Sequence, residues 1–386
     1  MNMTELKNHP FVVLGQEHYN PLGIVRTLGE SGIRPTVIIY GGRGMRLTSK
    51  SKYAAHVCAV QTIEEAYREL LSFVSRCGGV KPFVLTSDDT AESFLDEHYD
   101  ELRDQAYFFN AGKAGGVTSL MDKKAILSIA EAHGLNVLKA VVTERGAVPE
   151  GLEYPVITKA ITPTMGAWKS DMHICRDEAE LRRAFESIRS DKVLVQKYIV
   201  KKNELCMEGF AGPGGRDMMV TIASTYNYYL PMSYSPYMTV RNLDNPQLEG
   251  KLRELIADIG FTGVFEIEFL EDEDGKLWFG EVNFRNSTWS YASTCAGMPL
   301  ALMWADSQLT GKVNHALLCK VPDDFTAMVE LDDCRERVKK GKATLGAWFS
   351  DFKKADCRYY LGRHGDYAPV ASMLGGVLLR KLHLAR

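Results

Sequence analysis

No stretch of this 386-residue sequence approaches the roughly 18 consecutive apolar residues that a membrane-spanning helix requires. The opening residues, MNMTELKNHP, have no apolar core of the kind a secretory signal needs, so the expected location is the cytoplasm. An excess of either charge is missing too. Forty-six Lys and Arg stand against 49 Asp and Glu, a formal charge of −3, so no basic field exists to hold a polyanion and nucleic acid is not an expected partner. The eight cysteines (Cys58, Cys77, Cys175, Cys206, Cys295, Cys319, Cys334 and Cys357) form no CxxC pair, which argues against a zinc site or redox couple and for free, mostly buried thiols. Gly15 and Gly23 are too far apart for a GxGxxG dinucleotide turn, and no GxxxxGK[ST] occurs. There is no Ser/His/Asp order with a nucleophile elbow, which disfavours hydrolase chemistry. Internal repeats and low-complexity segments are absent as well.

What is present describes an ordered globular protein: 45% hydrophobic, 25% charged and 10% aromatic residues. At roughly 100 to 200 residues per domain the length allows two or three structural units. In the first hundred residues or so, apolar runs at 11–14, 35–40 and 82–86 alternate with amphipathic stretches at 24–30 and 63–75. Strands separated by helical patterns predict βαβ crossovers, a parallel sheet and a Rossmann-like α/β unit, with small molecules held in the crevice beyond the strand ends. From residue 119 the texture changes. Residues 119–133 carry helical periodicity up to Gly134; 137–142 and 154–158 read as strands, 162–169 as a Gly-containing loop, 178–190 as a charged helix and 193–200 as a strand. Residues 227–240 are strand-rich, 247–259 read as a helix, and 263–270 and 277–282 as two strands joined by the acidic turn 271–275. This second region is α+β.

Its last two strands concentrate the chemistry. Alternation puts Glu266 and Glu268 on one face of VFEIEFL, and Glu281, Asn283 and Arg285 on one face of GEVNFR. Paired across the turn, the strands gather three carboxylates, an amide and a guanidinium on one patch. Such an oxygen set suits Mg²⁺, which takes one or two carboxylates, waters and substrate phosphates. Arg285 adds a fork that fits phosphate or carboxylate oxygens. An exposed charged hairpin is the plain alternative. Against it, Val264, Phe265, Phe269, Trp278, Phe279 and Val282 on the same strands mark the hairpin as central, where a bare carboxylate costs on the order of several kcal/mol.

Glu268 followed by GEVNFRNS resembles the metal-binding signature of the ATP-grasp superfamily of carboxylate–amine (or thiol) ligases, which includes D-aspartate ligase-like and carbamoyl-phosphate-synthase-like members. The resemblance runs over roughly residues 119–306. It implies a Rossmann-like pre-ATP-grasp domain at 1–115, a two-lobed ATP-grasp domain at 116–312 with a lid at about 137–195, and a C-terminal appendage at 313–386. On this resemblance Lys123 and Lys159 reach the nucleotide phosphates, and Lys159 and Arg285 serve catalysis by neutralising the transferring group. Gly166 and Lys169 belong to the phosphate-covering loop. Gln196, Lys197, Tyr198 and Ile199 form a hinge whose backbone reads the adenine edge, and Glu204 binds the ribose. Glu268, Glu281 and Asn283 hold Mg²⁺, or Mn²⁺ in its place. The chain departs from the family at Gln196, where Glu is common, and at Trp168 and Lys169, where the loop is usually richer in glycine. Read alone, Lys123 beside Lys124 looks like an ordinary surface lysine, whereas Lys159 interrupts an apolar strand pattern, where a charge needs a buried partner.

The cofactors so implied are ATP and a divalent cation. The implied reaction turns a carboxylate into an acyl phosphate and joins it to an amine, so the expected partners are a small acid and a small amine. The Tyr-rich segment 227–241, ending in Arg241, and residues 286–295 are candidate walls for them. The aromatic, basic tail resembles the appendage of D-aspartate ligase-like enzymes and could instead serve internal packing or a homodimer. Two other classes stay open: a catalytically silent nucleotide-binding regulatory module, and a carboxylase or carbamoyl-phosphate-type enzyme of the same fold, although no attached carrier domain is visible.

Overall fold

The computed structural model describes residues 1–41, 47–161, 171–230 and 233–381, those from 377 on by their backbone alone. Four strands open the chain: β1 (Phe11–Gln16), β2 (Thr36–Tyr40), β3 (His56–Ala59) and β4 (Phe83–Thr86). They pair as one parallel sheet in the order β3-β2-β1-β4, the arrangement that alternating strand and helix patterns predict. The helix after β1 runs from Tyr19 to Glu30 and so begins before the amphipathic stretch expected at 24–30. Pro21 falls in its first turn, where a missing N–H costs nothing, so the Asn-Pro pair starts a helix here instead of making a turn. After β4, the Asp88 side chain accepts from the Ala91 N–H and caps the helix Asp89–Glu97, which places Asp89 in its first turn.

The helix expected at 119–133 is two helices, Gly116–Leu120 and Lys123–Ala132. Asp122 separates them because its carboxylate accepts from the Lys124 and Ala125 N–H groups, so Lys123 opens the second helix. A small antiparallel sheet follows, built from β5 (Ala140–Glu144), β6 (Val156–Lys159), β7 (Ile174–Cys175) and β8 (Lys192–Lys197) in the order β5-β8-β6-β7. Val156, Val193 and Val195 pack on Leu181 and Phe185 of the helix Glu178–Ser187. Alternation then turns Ile157, Lys159, Leu194 and Gln196 to the opposite face.

The third sheet has seven strands in the order β13-β12-β9-β10-β11-β14-β15. They are β9 (Asn203–Ala211), β10 (Met218–Tyr226), β11 (Tyr237–Arg241), β12 (Gly263–Glu271), β13 (Leu277–Asn283), β14 (Thr326–Met328) and β15 (Cys357–Arg358). The segment expected to be strand-rich, 227–240, joins the sheet only at β11. Pro236, which has no N–H for a ladder, stands just before it. β14 and β15 come from the tail beyond 313 and extend this sheet, so that part of the chain serves internal packing.

The tail is also bolted to the helix that follows β1. Arg26, fully buried, donates from Nε to Asp366 Oδ2 at 3.0 Å and to the carbonyls of Tyr359, Tyr360 and Asp366. Asp366 is fully buried in turn and also accepts from the Ser51 hydroxyl and the Lys52 N–H. All eight cysteines are free thiols; Cys175, Cys206, Cys295 and Cys357 are buried and Cys319 is exposed. Among the described residues no helix is long and apolar enough to cross a membrane. Removing one member of a buried ion pair strands the other in a dry interior, at a cost of about 3–5 kcal/mol. Arg26→Ala is therefore expected to lower the melting temperature by several degrees, while Glu178→Ala, which breaks only an exposed helix pair with Arg182, is expected to leave it nearly unchanged. Thermal denaturation of the two variants checks this.

Candidate functional site

The floor of the site is the pairing of β12 with β13. Glu266 stands opposite Asn283 and Glu268 opposite Glu281, and the register then slips, because Phe269 faces Phe279 across a bulge at Gly280. The bulge lets Phe279 stay in the core against Phe269 while Glu281 turns to the other side with Glu268. Gly280 suits this place, since a Cβ there would lie 3.0 Å from the Glu268 carbonyl oxygen. Asn283 ties the acids together. Its Nδ2 donates to Glu266 Oε2 at 2.9 Å and to Glu268 Oε1 at 3.2 Å.

Three cations surround this floor. Lys123, at the start of its helix, donates to Glu281 Oε2 at 2.6 Å, and its backbone N–H is held by the Ile161 carbonyl at 3.0 Å. The Lys123 ammonium beside Glu281 holds that carboxyl down to about 2. Lys159, at the end of β6, donates to Gln196 Oε1 at 2.9 Å. Burial, with the Lys123 charge adding to it, pushes Lys159 down to about 8. Arg285 donates to both oxygens of Asp89, at 2.7 and 3.3 Å, and from Nη2 to Asn283 Oδ1 at 3.1 Å. Among the described residues, Glu266 and Glu268 have no such direct cation. Burial, followed for Glu266 by the charge of Glu208 and for Glu268 by the charges of Glu266 and Glu281, pushes both well above the usual carboxylate range.

These groups line one cleft of about 410 Å³ between the small sheet and the seven-stranded sheet. Its other end is apolar, with Leu138, Ile157, Leu194 and Leu270 as walls. Gln196, Lys197, Tyr198 and Ile199 run along that end where β8 leaves the small sheet. The Tyr198 N–H is engaged by the Pro155 carbonyl at 2.9 Å, and Lys197 Nζ donates to the carbonyls of Glu153 and Tyr154 at 3.1 Å each. Glu204, on β9, faces the cleft and accepts from Lys201 Nζ and the Tyr226 hydroxyl. Thus Lys123, Lys159, Gln196, Lys197, Tyr198, Ile199, Glu204, Glu268, Glu281, Asn283 and Arg285, singled out in the sequence, all border one cleft. Gly166 and Lys169, with Trp168, lie outside the described residues. Lys123 is not the surface lysine its neighbour suggests: its side chain is only 13% exposed.

Beyond the acidic floor the cleft is bounded by Asn20, Ser233, Tyr234, Thr288 and Trp289. Of the two candidate walls, each is used in part. Tyr229, Ser233 and Tyr234 border the cleft, but Tyr228 turns to Asp333 and Arg241 is exposed and takes no part in the lining. Ser287, Thr288 and Trp289 border it, whereas Tyr291 turns away to Glu30. Two groups had not been singled out. Glu208, opposite Glu266 on β9, is fully buried behind the floor, where it accepts from the Ser287 and Ser290 hydroxyls; burial lifts it to about 7. Its signal was a charge inside an apolar strand, CMEGF. Asp89 had only the acidic pair after β4 as its signal, and its partner is 196 residues away.

Among the described residues no group of three Asp, Glu, His or Cys side chains converges to hold a metal ion. The expected set differs from such a group, being two carboxylates and an amide. It fits a hard divalent cation on two counts: its donors are all oxygens, and Glu266 and Glu268 carry acidity that the protein's own cations leave uncompensated.

No family model and no curated protein matches the chain. Solved structures match over most of its length. An N5-carboxyaminoimidazole ribonucleotide synthetase in complex with ADP aligns with a TM-score of 0.63 at 11% identity, over 97% of this chain and 98% of that one. An L-amino acid ligase from Bacillus licheniformis aligns with a TM-score of 0.59 at 15% identity, over 79% and 77%. A biotin carboxylase from Campylobacter jejuni, in its β,γ-ATP complex, does so with a TM-score of 0.59 at 14% identity, over 81% and 72%. At such identities the likeness is one of fold, and the chain has the ATP-grasp fold that these enzymes share.

Proposed function

We propose that this chain is an ATP-dependent ligase that activates a small carboxylic acid as an acyl phosphate and joins it to an amine. The observation that carries the reading is the convergence, in one cleft, of the Glu268, Glu281 and Asn283 oxygens with Lys123, Lys159 and Arg285, next to an apolar end bordered by residues 196–199. In this reading residues 1–115 are the pre-ATP-grasp domain, 116–312 the two-lobed ATP-grasp domain with its lid at about 137–195, and 313–386 the appendage. The adenine lies between Ile157, Leu194 and Leu270. With the Tyr198 N–H already engaged, the N–H of Ile199 reads the base edge. Glu204 takes the ribose hydroxyls, exchanging part of its present hydrogen bonding with Lys201 and Tyr226 for them.

The triphosphate then runs toward Lys123 and Lys159. Glu268, Glu281 and Asn283 would hold Mg²⁺ or Mn²⁺, which when bound neutralises the β- and γ-phosphate oxygens. A carboxylate oxygen of the acid attacks the γ-phosphorus. The bond from that phosphorus to the β,γ-bridging oxygen breaks and ADP leaves. Lys159 and Arg285 stabilise the charge spread over the transferring group, so positioning and electrostatics supply most of the rate. The amine next attacks the acyl carbon, the acyl C–O bond to phosphate breaks, and the departing phosphate takes the proton that the amine gives up. The acid and amine sit toward Asn20, Tyr234, Thr288 and Trp289.

The test is ADP release by the purified chain with ATP, Mg²⁺ and a panel of acids and amines, bicarbonate among the acids. Release that requires both an acid and an amine supports the ligase. Release with bicarbonate alone reassigns the chain to carboxylase-type chemistry, and ADP binding without release under any pairing makes it a silent nucleotide-binding module. Glu281→Gln removes the carboxylate charge that serves the cation and pairs with Lys123, and is expected to lower kcat by about 10²–10³-fold, measured by coupled ADP detection.

A pH dependence follows from Lys159. Only its ammonium form attracts phosphate, and with a pKa of about 8 it is charged below that pH and neutral above it. Nucleotide binding must then take up a proton at high pH. The Kd for ADP with Mg²⁺ is expected to be level below about pH 8 and to rise by up to about tenfold per pH unit above it. Lys159→Arg, charged throughout, is expected to flatten the profile. A Kd unchanged to pH 9.5 in the parent chain, measured by isothermal titration calorimetry, would remove Lys159 from the phosphate site.

A further inference from the structure

Arg285 lies just past the end of β13, and it is fixed from the parallel-sheet side of the molecule. Its neighbour Asn286 donates from its backbone N–H and from Nδ2 to the Thr86 carbonyl, at 3.3 and 3.1 Å, which staples the segment to the end of β4. Asp89 sits three residues beyond Thr86. Its oxygens take Nε and Nη2 of Arg285, a two-point clasp that sets the plane of the guanidinium. The Nη2 group also donates to Asn283 Oδ1, and Asn283 donates onward to Glu266 and Glu268. Arg285 is thus a single amide away from the acidic floor.

After Asp89, the anions acting most strongly on Arg285 are Glu266 and Asp88. Asp88 is already occupied: it accepts from the Ala91 and Gln16 N–H groups, at 2.9 and 3.2 Å, and from the Tyr40 hydroxyl. Glu266 has the Asn283 amide, the Ser287 hydroxyl and its fellow carboxylates, and among the described residues no ion-paired cation. A guanidinium released from Asp89 stays one amide from Glu266, because Asn283 accepts from its Nη2 and donates to Glu266 Oε2. There it would supply, from within the chain, the positive charge that the floor otherwise takes from a divalent cation.

We propose that Asp89 is a positioning residue that holds the Arg285 guanidinium away from Glu266 and Glu268, keeping these carboxylates and Asn283 open to the divalent cation of a nucleotide. The inference rests on reading the cleft as a nucleotide site, and it adds a residue of the parallel-sheet unit to that site. It also separates two uses of one arginine. Clasped by Asp89, Arg285 faces the transferring phosphoryl group; unclasped, it competes with the metal.

Calorimetric titration with ADP, with and without Mg²⁺, tests this without any turnover. In Asp89→Asn the Mg²⁺ concentration that half-maximally tightens ADP binding is expected to rise about tenfold, as it does when the open floor falls to a tenth of its population. Binding of ADP alone is expected to stay within about twofold, because Lys123, Lys159 and the segment 196–199 are untouched. In an Arg285→Ala background the same Asp89→Asn change is expected to have no effect on the Mg²⁺ requirement, since the competitor is gone. Asp89→Glu, which keeps the charge, is expected to restore most of the parent behaviour. An equal effect of Asp89→Asn in both backgrounds, or none in either, overturns the proposal while leaving the nucleotide reading standing. A parent chain that binds no ADP overturns that reading, and this proposal with it.

Discussion

The structure depends on a charge balance across the β12–β13 floor. Glu208, Glu266, Glu268 and Glu281 crowd one stretch of sheet, and an ionised carboxylate taken from water without a partner costs on the order of several kcal/mol. The chain compensates in three ways. Glu281 receives a lysine, Glu208 receives two serine hydroxyls, and Glu266 and Glu268 share the amide of Asn283 while their protons are held more tightly. The compensation is incomplete at the last pair, which is where the cleft opens. A fold optimised for stability alone would place apolar side chains at those positions. Retaining acids there makes sense where a cation arrives with a ligand.

The three cations around the floor have separate origins, and this explains how the architecture is knit together. Lys123 depends on Asp122 breaking a longer helix, Lys159 on the small sheet presenting alternate residues to the cleft, and Arg285 on a clasp from the helix that follows β4. The buried Arg26–Asp366 pair then ties the helix after β1 to the tail that completes the seven-stranded sheet. Each of the three sheets reaches the floor through one charged side chain or through the helix next to it. Displacing the parallel sheet would part Arg285 from Asp89, and displacing the helix that Lys123 opens would part its ammonium from Glu281.

How much of this the sequence discloses depends on the range of each interaction. Period-two alternation was enough to bring Glu266, Glu268, Glu281 and Asn283 to one patch, because strands joined by a short turn pair locally. The parallel sheet was legible from alternating strand and helix patterns. The bulge was not: strict alternation puts Phe279 and Glu281 on one face, whereas the slip at Gly280 separates them into core and cleft. Asp122 as a helix break was legible in principle as an N-cap residue, but the unbroken apolar period across 119–133 outweighed it. The long-range partners, Lys123 to Glu281 and Asp89 to Arg285, have no local signature. A resemblance in motif order brought Lys123 to the site, and for Asp89 there was no such guide. Glu208 could have been found as a charge inside an apolar strand, the same reasoning that isolates Lys159.

Gln196 shows how one neutral atom changes the demand placed on a ligand. It gives Lys159 a hydrogen-bond acceptor at 2.9 Å without giving it a countercharge. A carboxylate at that position would pair the ammonium within the protein and hold its proton at any ordinary pH, at the cost of competing with an incoming phosphate for the same charge. The amide leaves Lys159 oriented but electrostatically unsatisfied, and burial lowers its pKa accordingly. Glu266 and Glu268, across the cleft, are unsatisfied in the opposite sense. A cleft that holds an under-neutralised cation facing under-neutralised anions is matched to a ligand bearing both signs. In the proposed reading a polyphosphate with its divalent cation is such a ligand: its oxygens would lie toward Lys159 and its cation toward the acids, with the base at the apolar end.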